Sequence, residues 1–134
     1  MYEVLLAVDD DEERSLASAR AVADLPGSNE DTHVTIVYSF TNNPSGASAT
    51  QIGSVRAVED LLADRGVEFD VADTSGDPAD VILDVAEDID ADLVVLGGRR
   101  RSPAGKALFG SVTQSVILHA DRPVMVAGGY RTEE

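Results

Sequence analysis

Leu93-Val94-Val95-Leu96-Gly97-Gly98-Arg99-Arg100-Arg101, closed by Gly110-Ser111-Val112-Thr113, reads as a strand, a glycine-containing cationic loop and a helix start. Four consecutive apolar residues without a polar break fit a strand covered on both faces, the usual state of parallel sheets. Arg99, Arg100, Arg101 and Lys106 are four of the ten cationic residues in a chain of formal net charge −15. Basic side chains supply charge there, and the unpaired N–H groups of a helix start point at whatever binds. Such concentration in an acidic chain suggests a phosphate site. The plainer reading is a solvated loop whose arginines pair with nearby carboxylates.

Working outward, apolar runs of strand length alternate with helix-period stretches, the pattern of β-α units on a parallel sheet. Strands are expected near residues 2–8, 33–39, 67–72, 93–96 and 124–127. The third alternates, with Val67, Phe69 and Val71 against Glu68 and Asp70, as a half-exposed edge would. Leu16, Ala19, Val22 and Ala23 stripe the first helix, and Ile52, Val55, Val58, Leu61 and Leu62 the second. Gly66 follows the second helix, Asp77 and Pro78 suit the start of the third, and Ile82, Val85, Ala86 and Ile89 form its buried face. A fourth helix is expected from Gly110-Ser111 to about His119, and residues 41–49 read as a mobile loop.

Composition narrows the function. A chain of 134 residues with 43% apolar content makes one globular domain, residues 1–134, whose core is aliphatic because only three Tyr and three Phe are present. The absence of cysteine removes disulfides, zinc-thiolate sites and thiol nucleophiles. No segment approaches the length of a membrane span and the amino terminus lacks a basic leader, so no membrane is implied and a cytoplasmic location is expected. The acidity argues against nucleic acid as a partner. Sixteen Asp, nine Glu and a single Lys against nine Arg point to a salt-adapted, halophilic source.

Two positions carry the candidate chemistry. At the fourth helix start, Gly110 permits close backbone approach, and the Ser111 and Thr113 hydroxyls join the amides around phosphate oxygens. The competing view makes Ser111 a simple N-cap. Asp9 closes the first strand, where ligands of open parallel sheets bind, and a carboxylate there suits a ribose hydroxyl or a metal ion bound to phosphates. The rest of the run Asp9-Asp10-Asp11-Glu12-Glu13 fits a helix dipole. Residues 100–107 fail as a phosphate loop of the G-x-x-x-x-G-K-[ST] kind, since Arg100 and Ala107 stand at its first and last positions. Neither a G-x-G-x-x-G nor a G-x-S-x-G element is present, and His33 and His119 lack partners at metal spacing, so they read as structural.

Together, Val4-Leu5-Leu6-Ala7-Val8-Asp9, Gly76-Asp77-Pro78-Ala79, Ala91-Asp92-Leu93-Val94-Val95-Leu96-Gly97, Gly110-Ser111-Val112-Thr113 and Arg122-Pro123-Val124-Met125-Val126 resemble the universal stress protein (UspA-like) family over essentially the whole chain. The resemblance implies a five-stranded parallel α/β sheet of order 3-2-1-4-5, of the adenine nucleotide alpha hydrolase-like kind. It also implies a stress-response protein that binds ATP or a related adenine nucleotide, with Mg or Mn on the phosphates, as a regulatory ligand rather than an enzyme. Ser39 would meet adenine, Asp9 the ribose, and Gly97, Arg99, Gly110, Ser111, Val112 and Thr113 the phosphates. The nucleotide-binding signature G-x2-G-x9-G-[ST] becomes Gly97-x2-Arg100-x9-Gly110-Ser111 here. Arg100 would then either crowd the phosphate site or contact it, and it would cost about 1–2 kcal/mol if its position needs a left-handed backbone. Related proteins pair their fifth strands into a homodimer, which would place Val124 and Val126 near the two-fold axis. The alternative is a family member that binds no nucleotide and acts through protein partners.

Overall fold

The computed structural model describes residues 1–9, 11–40, 53–97, 100–101, 107–108 and 110–127. In chain order the elements are β1 (Tyr2–Val8), α1 (Glu12–Ala23), β2 (Thr32–Phe40), α2 (Gly53–Asp64), β3 (Glu68–Ser75), α3 (Pro78–Asp88), β4 (Leu93–Leu96), β5 (Arg100–Arg101), β6 (Ala107–Leu108), α4 (Ser111–His119) and β7 (Val124–Val126). The main sheet is parallel throughout with the order β3-β2-β1-β4-β7, so the expected five-strand order is observed, with β7 as its fifth strand. The segment between β4 and α4, read from sequence as a plain loop, instead contains an antiparallel ribbon that pairs Arg100 with Leu108 and Arg101 with Ala107.

Side chains of successive strand residues go to opposite faces. Val4, Leu6, Val34, Ile36 and Val95 meet Ala19 and Val22 of α1 and Val55, Val58 and Leu62 of α2. Leu5, Val37, Val94 and Leu96 meet Ala79, Ile82 and Ala86 of α3 and Val116 of α4. All four residues of β4 are buried, as their unbroken apolar run demands. The three residues of β7 are only half-buried, although their sequence is equally apolar, because the strand is short and lies at the sheet edge.

Helix ends follow local chemistry. Asp11 caps α1 by accepting from the Arg14 amide, and Asp77 caps α3 by accepting from the Asp80 amide, with Pro78 in the first turn. After α2, Gly66 takes φ 75° while Val67 N–H bonds back to the Leu62 carbonyl, a left-handed helix stop suited to glycine. β3 runs past the expected residue 72 because β2 supplies a partner at every position from His33↔Glu68 to Phe40↔Ser75. Backbone pairing, which apolar content does not report, sets that end. Ile52 and the 41–49 segment lie outside the described residues.

His33 joins three strands at the amino ends of the sheet. Its Nδ1 lies 2.9 Å from Glu3 Oε1 and its Nε2 lies 2.7 Å from Asp70 Oδ2. The Glu3 hydrogen bond is the main cause holding the imidazolium above its ordinary pKa of 6.5; partial burial opposes it, and the Asp70 bond and both carboxylate charges reinforce it. The folded state therefore binds this proton more tightly than the unfolded chain, and the added stability is full below pH 6.5 and lost as pH rises through the folded pKa. We expect the melting temperature of the parent to fall over that window more than that of His33→Gln, measured by circular dichroism at constant ionic strength. Parallel profiles for the two proteins would refute the bridge.

Candidate functional site

The chain turns back across β1 between β3 and β4, so strands on either side of β1 are reached from opposite directions. Open parallel sheets bind ligands outside the carboxyl ends of their strands at such a point. Asp9 follows β1 there, and Gly97 follows β4 beside it. The Asp9 backbone is fixed by hydroxyls from two helices. Its N–H donates to Ser15 Oγ at 3.3 Å, and its carbonyl accepts from Ser54 Oγ at the start of α2. Ser15 and Ser54 are both buried. On the β4 side, Thr113 in the first turn of α4 is buried and donates its hydroxyl to the Gly97 carbonyl at 3.0 Å. One hydrogen bond thus holds a helix start against a strand end.

The α4 start differs chemically from those of α1 and α3. Its N-cap is Gly110, and no side chain caps it. Ser111 is the first helical residue rather than the cap, so the simple capping role weighed for it does not hold. Gly110 and Ser111 are exposed, Val112 is half-buried, and the first helical bond runs from the Gln114 N–H to the Gly110 carbonyl. The amides before Gln114 consequently have no intrahelical acceptor. Arg100 lies in the extended ladder of β5, which removes the strain considered for a left-handed backbone at that position. Ser39 sits near the carboxyl end of β2, paired with Thr74. Arg99 and Lys106 lie outside the described residues.

One charged group in the crevice escaped the sequence reading. Arg14, in the first turn of α1, places its Nε 3.2 Å from Asp9 Oδ2 and its Nη2 3.5 Å from Asp11 Oδ2. Arg14 follows Asp11 by three positions, a helical neighbour spacing, and that was the available signal. The acidic run otherwise behaves as a helix start, with Asp11 as cap and Glu12 and Glu13 in the first turn. Among the described residues no three His, Asp or Glu side chains gather as a metal site.

An open parallel α/β sheet whose switch point carries Asp9 and Gly97, with a helix start beside it that no side chain caps, has the geometry at which sheets of this class hold small ligands. The family model described as the universal stress protein family matches residues 1–128, and the chain belongs to that family. A universal stress protein of Mycolicibacterium smegmatis is 40% identical over 74 residues, 54% of this chain and 57% of that protein. The chain spans little more than half the length of that relative. Among solved structures, the universal stress protein from Archaeoglobus fulgidus in complex with dAMP is 25% identical with a TM-score of 0.68, covering 94% of this chain and 96% of the other. A universal stress protein in complex with cAMP superposes with a TM-score of 0.73 at 21% identity, over 96% of this chain and 98% of the other, a likeness of fold.

The Thr113–Gly97 bond gives the site a measurable anchor. Thr113→Val keeps the shape and leaves the Gly97 carbonyl without its donor in a part-buried setting. We expect a loss of about 1–3 kcal/mol in chemical denaturation. An unchanged midpoint would mean that the hydroxyl does not hold α4 to β4.

Proposed function

We infer that the protein binds an adenine nucleotide, ATP or a relative of it, as a regulatory ligand in the crevice between the ends of β1 and β4. The observation that carries this reading is the juxtaposition at that point. Asp9 supplies a carboxylate for sugar hydroxyls on one side, and the uncapped start of α4 supplies amides for phosphate on the other. The family relatives solved with dAMP and cAMP support the ligand class. In this reading Ser39 lies toward the base, and Gly97, Arg99, Arg100, Gly110, Ser111, Val112 and Thr113 surround the phosphates. Thr113 does so through its backbone N–H, because its buried hydroxyl is given to the Gly97 carbonyl rather than to phosphate as the sequence suggested. Any Mg or Mn enters on the phosphates of the ligand.

The site is read as a sensor rather than an enzyme. Ser15, Ser54 and Thr113 are engaged with the backbone of Asp9 and Gly97, which makes them structural hydroxyls. His33 sits at the amino ends of the strands, and the His119 ring bonds to the Ser115 carbonyl at the far end of α4. Neither histidine serves the crevice as a base. Among the described residues no helix is long and apolar enough to cross a membrane. The acidic, lysine-poor composition underlies our reading of a halophilic source, and we propose residues 1–134 as one domain working in the cytoplasm.

Assembly follows from β7. It ends the sheet with one ladder edge unpaired among the described residues, and no charged residue lies within Val124–Val126. Leu118, 76% exposed on the helix just before it, adds apolar surface. Antiparallel pairing of two β7 edges about a two-fold axis would satisfy both. We propose this homodimer, with Val124 and Val126 near the axis.

Nucleotide binding to the folded state should raise the melting temperature, because a ligand that ignores the unfolded chain stabilises by mass action. We expect a shift with millimolar ATP and magnesium, and Ser111→Ala should weaken binding by about 1.5–3 kcal/mol, the usual loss for a hydrogen bond to a charged group. A parent protein that is folded, nucleotide-free and unshifted would favour a partner-binding role without nucleotide. For the assembly, Val126→Lys should give monomers by light scattering where the parent is dimeric. A monomeric parent at micromolar concentration would exclude this dimer.

A further inference from the structure

Arg14 is pinned across the crevice at three points. Its Nε donates to Asp9 Oδ2 at 3.2 Å, its Nη2 lies 3.5 Å from Asp11 Oδ2, and its aliphatic stem crosses Gly97. A Cβ added at Gly97 would come within 2.6 Å of Arg14 Cγ and 3.3 Å of Cδ. The Arg14 side chain is only 16% exposed, against 57% for Asp9. The other Asp9 oxygen, Oδ1, accepts from the Asp11 N–H at 2.9 Å, so both carboxylate oxygens are engaged. A side chain that began in an acidic helix start therefore closes the space between two strand ends.

We propose that Arg14 is a gate over the ligand crevice, and that entry of a nucleoside is coupled to opening of the Asp9–Arg14 ion pair. The proposal rests on the nucleotide reading of the same crevice. In the closed state the stem covers the Gly97 backbone, and the guanidinium takes the carboxylate oxygen that a sugar hydroxyl would need. The competing role, a cation that stays in place and binds phosphate, is disfavoured by two facts. Two carboxylates already hold the guanidinium, and the stem lies on the approach to Gly97. The gate is light, because a partly exposed ion pair of this kind shifts an equilibrium by about two- to fivefold. It is also salt-sensitive, since screening weakens the pair while leaving the steric fit untouched.

Adenosine is the discriminating probe, because it lacks phosphate and does not sense the charge lost in a variant. Parent and Arg14→Ala are titrated with adenosine and, separately, with AMP, at low and high salt, following amide shifts by NMR. The gate predicts adenosine binding about two- to fivefold tighter in Arg14→Ala at low salt, with a smaller ratio at high salt. Adenosine affinity that is unchanged or lowered, while AMP still binds both proteins, overturns the gate and leaves the nucleotide reading in place. Failure of adenosine and AMP to bind either protein overturns both. A ligand-free arm examines the cover itself. Gly97→Ala should destabilise the parent more than it destabilises Arg14→Ala, the 2.8 Å approach to Ser18 Oγ being common to both backgrounds. Equal costs in the two backgrounds would show that Arg14 does not lie over Gly97 and would overturn the gate.

Discussion

The burial of β1 from both sides is the constraint on which everything else rests. Val4, Leu5 and Leu6 are each 0% exposed, with Val4 and Leu6 in the layer under α1 and α2 and Leu5 in the layer under α3. Each such side chain contributes about 1.5–3 kcal/mol on burial, whereas an exposed ion pair contributes about 0.2–1 kcal/mol. The Arg65–Asp24 and Arg122–Asp90 pairs at the surface are therefore minor beside this strand. β2 on one side and β4 on the other satisfy the β1 backbone, and the same pairing makes its carboxyl end the switch point. Asp9 is the first residue that this buried strand releases.

The polar groups around that release point show why the crevice keeps its shape. The Asp9 backbone is tied to Ser15 of α1 and Ser54 of α2, and the Gly97 carbonyl is tied to Thr113 of α4. Three helices are thus fastened to two strand ends by hydroxyls, all of them buried. A buried hydroxyl without a partner would be costly, and among the described residues no buried side-chain nitrogen or oxygen lacks one. Short hydroxyl side chains can do this work in a crowded space that would not admit larger polar groups.

Much of the fold was legible because its signals are local and redundant. Unbroken apolar runs marked β1 and β4, and Asp77-Pro78 marked the start of α3. Signals that depend on pairing were weaker. Polar residues 73–75 lie beyond the strand that apolar content marks, yet they continue β3 because β2 extends beside them. The ribbon formed by Arg100–Arg101 and Ala107–Leu108 has too few residues for periodicity to register. Asp9 and the α4 start stand out in sequence because each sits at an element boundary, and Gly97 through the family signature. The structure places Asp9 and Gly97 at the ends of neighbouring strands and ties Gly97 to α4. Arg14 was missed for the opposite reason. It stands inside an acidic helix start that already had a sufficient explanation, and its reach to Gly97 links residues 83 positions apart.

Gly97 shows how one position can answer two demands. Its missing side chain makes room for the Arg14 stem, and the same absence would let a ligand approach the backbone once that stem has moved. A larger residue would obstruct both arrangements. The dipole of α1 supports the closed arrangement indirectly: it favours Asp11, Glu12 and Glu13 at the helix start, and Asp11 then helps to hold the guanidinium. The acidic run thus orders the ends of β1 and β4 through Asp11 as well as through Asp9. Its charge fixes the Arg14 guanidinium over the strand ends, and the strength of that hold depends on the salt around it.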